Sequence, residues 1–579
     1  MESIIRGCQR MGLVLKTGTR IMNVTVRQAS VAAKWKTMEG LNGAKIFTSP
    51  YGDVDIPSTT MPEFIWQNVN KWPTRVALEC GVTGRKLTYA EARDSANYVA
   101  RSLRNMGLQD GDIVVIILPN LPESPIALLG TMEAGLIPTS VNPIETVDEI
   151  ARRIQLLGAK AVITSSGIAP NAVAAGNATL PHNSPIIVVE DGVRPLPDGT
   201  IPFKDLLTRG KTLPDVPKNN RTPDDICVLP YSSGTTGLPK GVMLSHRNLI
   251  SNILMNNQST MMDNDIHDVI PVVLPLFHIY GMNNILHTKM IHGAHFITLP
   301  VFTAENYINV LTKHPCTLIF CVPPILLFLG GTQLLQKEHL KNVRAIVNGA
   351  AAVGGTDVAR VYDKFALDNE SAKFIQGYGL TECAGAGFLQ AINNQFASIG
   401  HPCASAEARL VDSITGEDIQ TPGQTGEIWI RGPHVMKGYY ENEKATNETF
   451  HDGWLKTGDI AYYNDEFAFY ITDRLKELIK VKGFQVPPAE LEAILRTHPA
   501  ISDAAVIGTP DPRCGEVPKA FIVLKKGHTA TAEEVQNFIR GKVAEYKQIT
   551  GGVVFIDEIP RNAGGKILRM NLKNFCRGQ

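Results

Sequence analysis

The chain carries no excess of charge of either sign: 56 Lys and Arg face 56 Asp and Glu over 579 residues. A surface built to hold nucleic acid or another polyanion carries a basic surplus, so no such partner is indicated. It has no apolar run of the roughly 18 to 20 residues that a membrane-spanning helix needs. The most apolar stretch, 317–331, is broken by Pro323 and Pro324 and reads as a buried strand running into a helix. Cysteine is sparse and scattered, at Cys8, Cys80, Cys227, Cys316, Cys321, Cys383, Cys403, Cys514 and Cys576. No C-x-x-C pair occurs and the count is odd, which argues against a zinc site or a disulfide framework and fits free thiols in a reducing compartment. No internal repeat is visible. Acidic residues are nearly missing from the N-terminus: through Lys36, Glu2 stands alone against Arg6, Arg10, Lys16, Arg20, Arg27, Lys34 and Lys36. A basic, hydroxyl-containing, acid-poor start has the character of a mitochondrial transit peptide, expected over 1–40, with the matrix as destination. The C-terminal Cys576-Arg577-Gly578-Gln579 is neither a peroxisomal address nor a prenylation box.

What is present is ordinary globular composition, 44% hydrophobic and 19% charged, in a chain long enough for two or more domains. Short apolar strands alternate with amphipathic helices from about residue 45, as in 111–120, 159–166, 184–191, 295–300 and 343–351. That alternation predicts an α/β fold of parallel sheets, with sites at strand ends. From about 405 the strands shorten and turns separate them, predicting a small β-rich subdomain. The charged segment 475–486 reads as a linker, and a compact α+β unit follows. The expected organisation is a large N-terminal domain over 45–473, hinged to a small C-terminal domain over 474–579.

Residues 231–241 read YSSGTTGLPKG: two serines, two threonines, three glycines and one lysine. Glycines let backbone N–H groups approach oxygen atoms, hydroxyls donate, and the lysine adds charge, so the run suits a loop around a polyphosphate. It is not a Walker A loop, because Leu238-Pro239 precedes Lys240 and Gly241 stands where a metal-holding hydroxyl belongs. The flanks predict strand, loop, helix, with Ser245 as the helix N-cap.

Further motifs follow. QGYGLTE (376–382) offers the Tyr378 ring to a purine, the Thr381 hydroxyl to a phosphate and the Glu382 carboxylate to Mg²⁺. LKTGD (455–459) ends in Asp459, a carboxylate able to accept ribose hydroxyls, and Arg474 follows on the next strand. PRNAGGKILR (560–569) presents Lys566 from a glycine loop, a design suited to meeting developing negative charge. LPLFHIYGMNNI (274–285) sets His278 and Tyr280 among apolar bulk, where a histidine is more often structural than catalytic.

In this order, over roughly 50–575, the motifs resemble the adenylate-forming superfamily of acyl-CoA synthetases, 4-coumarate:CoA ligases and beetle luciferases. The resemblance implies an acid-thiol ligase. MgATP activates a carboxylic acid as its adenylate with release of pyrophosphate, and the acyl group then passes to coenzyme A. It implies that Ser232, Ser233, Gly234, Thr235, Thr236, Gly237 and Lys240 cover the β- and γ-phosphates. Gln376, Gly377, Tyr378, Thr381, Asp459 and Arg474 complete the nucleotide site, with Glu382 on the metal. Lys566 bridges carboxylate and α-phosphate. Lys476 is the hinge about which the small domain turns, withdrawing Lys566 and bringing Lys480, Gly483, Phe484 and Gln485 to coenzyme A. His278, Tyr280, Gly349 and Gly379 line the acyl pocket. Asn348 replaces a commoner serine and GFLQAINN (387–394) an unlike stretch, so the departures gather where the acid binds. With an apolar pocket and a mitochondrial address, the expected substrate is a medium- or long-chain fatty acid. The alternatives are an aryl acid, a luciferase-like oxygenase or a non-catalytic relative.

Overall fold

The computed structural model describes residues 37–39, 44–216, 221–232, 239–260, 267–351, 353–368, 371–390, 396–475, 477–481, 484–540, 542–543, 545–562 and 565–577. The expected transit peptide up to residue 36, the loop residues Ser233 to Gly237, the hinge Lys476 and Gly483 lie outside the described residues. Phe484 and Gln485 are described as backbone alone.

Two sheets with helices packed between strands form the body. The first is all parallel: Ile137–Ser140, Ile113–Ile117, Ala161–Ser165, Ile186–Val189 and Ile201–Pro202, in that spatial order. Its central strand, Ala161–Ser165, and the neighbouring Ile113–Ile117 are buried at every position, as parallel strands covered on both faces must be. The second is assembled from two ladders. Val269–Val272, His295–Thr298 and Val76–Cys80 run parallel in one, and Leu318–Cys321, Ala345–Asn348 and Lys373–Leu380 in the other. The Thr317 amide joins their edges by donating to the Val269 carbonyl at 2.9 Å. The second ladder turns antiparallel at Gly385–Gln390.

Local sequence accounts for the helices. Thr88 and Glu91 form a capping box at Tyr89–Asn105, and Thr146 and Glu149 another at Val147–Leu157, which Gly158 ends in the left-handed conformation. Pro323 and Pro324 occupy the first turn of Pro323–Gly331, where a missing N–H costs nothing. Ser245 caps His246–Thr260 reciprocally: its hydroxyl accepts from the Asn248 amide at 3.1 Å and its own amide donates to Asn248 Oδ1 at 2.9 Å.

Two expectations change. The β-rich subdomain is a seven-stranded sheet that also recruits Thr37–Glu39 and Lys45–Thr48 from the N-terminal end. Phe47 packs on Tyr463 and Phe469 there, and strand pairing begins before the expected boundary at 40. The presumed linker is no linker: Ile479–Val481 and Phe484–Val486 pair as a hairpin on the C-terminal sheet. Ile479, Val481 and Val486 are buried with Leu491, Val506 and Ile522, while exposed Lys480 faces away. Alternation with period two, not charge, decided the conformation. No helix among the described residues is long and apolar enough to cross a membrane.

Candidate active site

One cavity of about 480 Å³ opens where the carboxyl ends of the parallel strands meet the seven-stranded sheet and the C-terminal unit. Ser232 and Lys240 enter it from a short hairpin that pairs Tyr231–Ser232 with Lys240–Gly241, so the expected loop springs from two strands. Gly377, Tyr378 and Gly379 enter from the strand Lys373–Leu380. Thr381 and Glu382 follow on a single 3₁₀ turn. A Cβ on Gly379 would stand 2.0 Å from the Gly385 carbonyl oxygen, so only glycine fits this fold of the strand. Gly458 holds φ near +71° within the long strand Trp454–Tyr463, its amide donating to Glu427 Oε1 at 2.8 Å.

Asp459, 2% exposed, is not itself brought to the cavity surface; it lies behind Tyr378, Gly458 and Arg474, which line it. The Tyr378 hydroxyl donates to its Oδ2 at 2.7 Å and Arg474 Nε lies 2.8 Å from its Oδ1. Burial raises the Tyr378 phenol well above its ordinary range, so this hydroxyl is a fixed donor. A carboxylate has about four lone-pair sites, so Asp459 keeps acceptor capacity beyond these two partners. Gln376 is not brought to the cavity. It is 1% exposed and braces the wall, accepting from Asn348 Nδ2 at 3.2 Å and from the Val353 amide at 3.3 Å.

Glu382 accepts from the Tyr439 hydroxyl at 2.8 Å, and the Lys240 ammonium sits 4.6 Å from the centre of the same ring. Tyr439 thus ties the phosphate-loop lysine to the acid, a role that no spacing in GYYEN signals. No group of three metal-ligating side chains occurs among the described residues. One half-buried carboxylate beside a phosphate-sized cavity does fit Mg²⁺, which keeps waters and takes its other ligands from phosphate.

Lys566 and Asn562 are the C-terminal unit's contributions. The Lys566 ammonium lies 3.4 Å from Glu477 Oε1, and burial lowers its pKa. Lys480 does not reach this cavity. It is exposed near Glu516, whose Oε2 accepts from the Lys480 amide at 2.9 Å.

Beyond the strand ends the cavity is walled by His278, Tyr280, Phe320, Val347, Gly349 and Leu389. Tyr280 opens a π-helical segment, Tyr280–His287, and its hydroxyl donates to the Val347 carbonyl at 3.0 Å. A Cβ on Gly349 would come within 2.9 Å of the Tyr280 ring, so glycine keeps this passage open. Burial lowers the His278 pKa to about 4, and its Nδ1 accepts from the Tyr280 amide at 3.2 Å, so it serves as a neutral ring. Cys383 is fully buried and takes no part in the cavity lining.

The arrangement gathers Lys240, Arg474 and Lys566 with hydroxyls and three acids, Glu382, Glu427 and Glu448, around a space that continues into a pocket of mixed character. It can neutralise a polyphosphate and hold a second reactant in line with it.

The comparisons agree with that geometry. The family described as AMP-binding enzyme matches residues 65–440, and AMP-binding enzyme C-terminal domain matches 490–566. A 4-coumarate–CoA ligase 1 of Solanum tuberosum is 38% identical over 547 residues, 92% of this chain and 97% of that protein. A probable 4-coumarate–CoA ligase 1 of Dictyostelium discoideum is 34% identical, covering 92% and 98%. Among solved structures, ATP-bound MatB from Rhodopseudomonas palustris superposes with a TM-score of 0.78 at 26% identity, covering 89% of this chain and 99% of that one. A benzoate CoA ligase from Burkholderia xenovorans LB400 shares the fold, with a TM-score of 0.78 at 24% identity and coverage of 89% and 99%.

Proposed function

The chain belongs to the AMP-binding enzyme family of adenylate-forming acid:CoA ligases, and on that premise we propose that its substrate is an aryl acid. The observation that carries the chemistry is the convergence of Lys240, Arg474, Lys566 and Glu382 on one cavity that runs on into a pocket walled by Tyr280 and Phe320. The expected fatty acid gives way for two reasons. The similar curated proteins are named for an aryl acid, and the pocket presents rings and amides where an alkyl chain needs an aliphatic tunnel.

Attack of the carboxylate on the α-phosphorus needs alignment and relief of charge repulsion more than covalent help from the protein. Lys240 meets the outer phosphates and Thr381 donates to a phosphate oxygen. Lys566 stands where carboxylate and α-phosphate approach each other. Asp459 and Arg474 hold the ribose side. Glu382 would hold Mg²⁺, which supplies charge neutralisation across the phosphates. Neutral His278 orients the acid without adding a competing charge. In the second step Lys566 withdraws as the small domain turns at the expected hinge, Lys476, and the hairpin carrying Lys480, Phe484 and Gln485 comes to coenzyme A.

Pyrophosphate release, with and without coenzyme A, across cinnamates, benzoates and fatty acids tests the reading. A coenzyme-A-dependent response strongest with aryl acids is expected; a peak among long alkyl acids would overturn it. Lys566→Ala is expected to lose adenylate formation at least 100-fold while thioester formation from supplied acyl-adenylate persists. Equal loss of both half-reactions would remove the role given to Lys566. The basic N-terminus supports a further proposal, import into the mitochondrial matrix. A fluorescent protein carrying residues 1–40 that stays in the cytosol would refute it.

A further inference from the structure

Thr381 and Glu382 stand on one 3₁₀ turn, Thr381–Cys383, and the chain leaves it through Ala384 at φ +53° and Gly385 at φ +131°. A left-handed alanine persists only where its surroundings hold it. Tyr439 holds the Glu382 carboxylate, and two asparagines hold the backbone. Asn252 stands on the helix His246–Thr260 and Asn283 in the π-helical segment; both are fully buried and neither lines the cavity. Asn252 Nδ2 donates to the Cys383 carbonyl at 3.1 Å and to the Ala386 carbonyl at 2.8 Å. Asn283 Nδ2 donates to the carbonyl between them, Ala384, at 2.9 Å. A Cβ on Gly385 would stand 2.8 Å from Asn252 Oδ1 and 2.2 Å from Asn284 Oδ1, so the amides pack directly on this turn.

The same side chain faces the acid pocket through its other end. Backbone carbonyls only accept, so both Asn252 N–H groups are committed to the turn and Oδ1 is left to accept. It does so from Asn256 Nδ2 at 2.8 Å, Asn284 Nδ2 at 3.3 Å and Asn283 Nδ2 at 3.4 Å. Asn256 and Asn284 line the cavity, and Asn284 follows Tyr280 by one turn of the π-helical segment. Three donors share the two lone pairs of one amide oxygen, so a shift of either cavity amide changes how firmly Asn252 is held. One buried asparagine thus joins the pocket wall to the turn that carries the acid expected on the metal.

We propose that Asn252 is a positioning residue for the Thr381–Glu382 turn and that, through Asn256 and Asn284, it couples this turn to the acid pocket. Acid in the pocket steadies the two cavity amides, and the nucleotide with its metal ion then meets a turn already in place. Linkage makes the effect reciprocal: bound nucleotide tightens the acid by the same factor. The proposal rests on the acid:CoA ligase reading and adds to it an order among the parts of the site.

The test is calorimetric titration of the full chain with Mg²⁺ and α,β-methylene-ATP, which cannot release pyrophosphate, without acid and with a saturating amount of the acid that wild type activates best. Wild type is expected to bind the analogue about fivefold more tightly, or better, when the acid is present. Asn252→Ala is expected to weaken the analogue alone by about fivefold and to bring the coupling below about twofold. Asn252→Asp keeps the size but turns an acceptor toward two carbonyls, so it is expected to do no better than alanine; a role of bulk alone would be restored by it. Asn284→Ala keeps the bonds from Asn252 to the turn and is expected to lose the coupling while the analogue alone changes by less than about twofold. Wild-type binding by Asn252→Ala overturns the positioning role. Coupling that survives Asn284→Ala, or that wild type lacks, overturns the link. Should the Asn252 variants not fold, wild type and Asn284→Ala decide. Lost coupling in an enzyme that activates an acid removes this proposal alone; silence with every acid while the analogue still binds removes the ligase reading beneath it.

Discussion

Asp459 shows how much one buried carboxylate organises. It fixes the Tyr378 ring through the phenol and Arg474 through the guanidinium, and Gly458, with positive φ, sets the backbone just before it. Hydrogen bonds to charged groups contribute roughly 1.5 to 3 kcal/mol each, and Arg474 is 31% exposed, so solvent offsets part of its loss. Asp459→Ala is expected to lower stability by about 2 kcal/mol and raise the ATP KM more than tenfold. Tyr378→Phe, which removes one bond, is expected to cost about half as much in stability. Denaturant unfolding and ATP titration check both; wild-type values for Asp459→Ala would refute the role.

Among the elements, the strand Phe469–Arg474 and the helix Pro488–Arg496 form the joint between the two units. Asp473 Oδ2 accepts from the Ala489 amide at 3.1 Å at that joint. Burial, opposed by the charge of Arg569, raises the Asp473 carboxyl from 3.8 to about 7. A carboxyl raised on folding is protonated in the native protein while the unfolded chain is already ionised. Its contribution is thus fully present below about pH 4 and lost as pH rises through about 7. Asp473→Asn keeps an acceptor for Ala489 and removes the titration. Thermal unfolding across pH 4 to 8 should fall less steeply for the variant than for wild type; parallel profiles would show that Asp473 does not set this dependence.

At the scale of the molecule, Lys566 is held by a small ionic network inside the C-terminal unit. Glu477 Oε1 lies 3.4 Å from Lys566 Nζ, and its Oε2 accepts from Arg569 Nε at 2.8 Å. Arg569 also reaches Glu492 on the helix Pro488–Arg496. Glu477 is therefore a positioning residue for Lys566. Glu477→Gln is expected to slow adenylate formation about tenfold, equivalent to about 1.4 kcal/mol of barrier, and to spare thioester formation from supplied acyl-adenylate. Single-turnover measurement of each half-reaction decides it, since a merely structural loss would slow both alike.

By itself the sequence determined the parallel α/β body, the helix caps and the nucleotide motifs. In each case a few neighbouring residues carry the whole signal: hydroxyls and glycines around Lys240, Gly458 before Asp459, Thr146 with Glu149 three residues on. Tertiary structure alone decided the rest. Residues 45–48 pair with the strand Glu407–Val411, some 360 residues away, and Ile479, Val481 and Val486 became core because they share one face. Sheet register moved Gln376 behind Asn348 and brought Tyr439 between Lys240 and Glu382. Cavity walls are made of contacts distant along the chain, and no local pattern encodes which side chains they bring together.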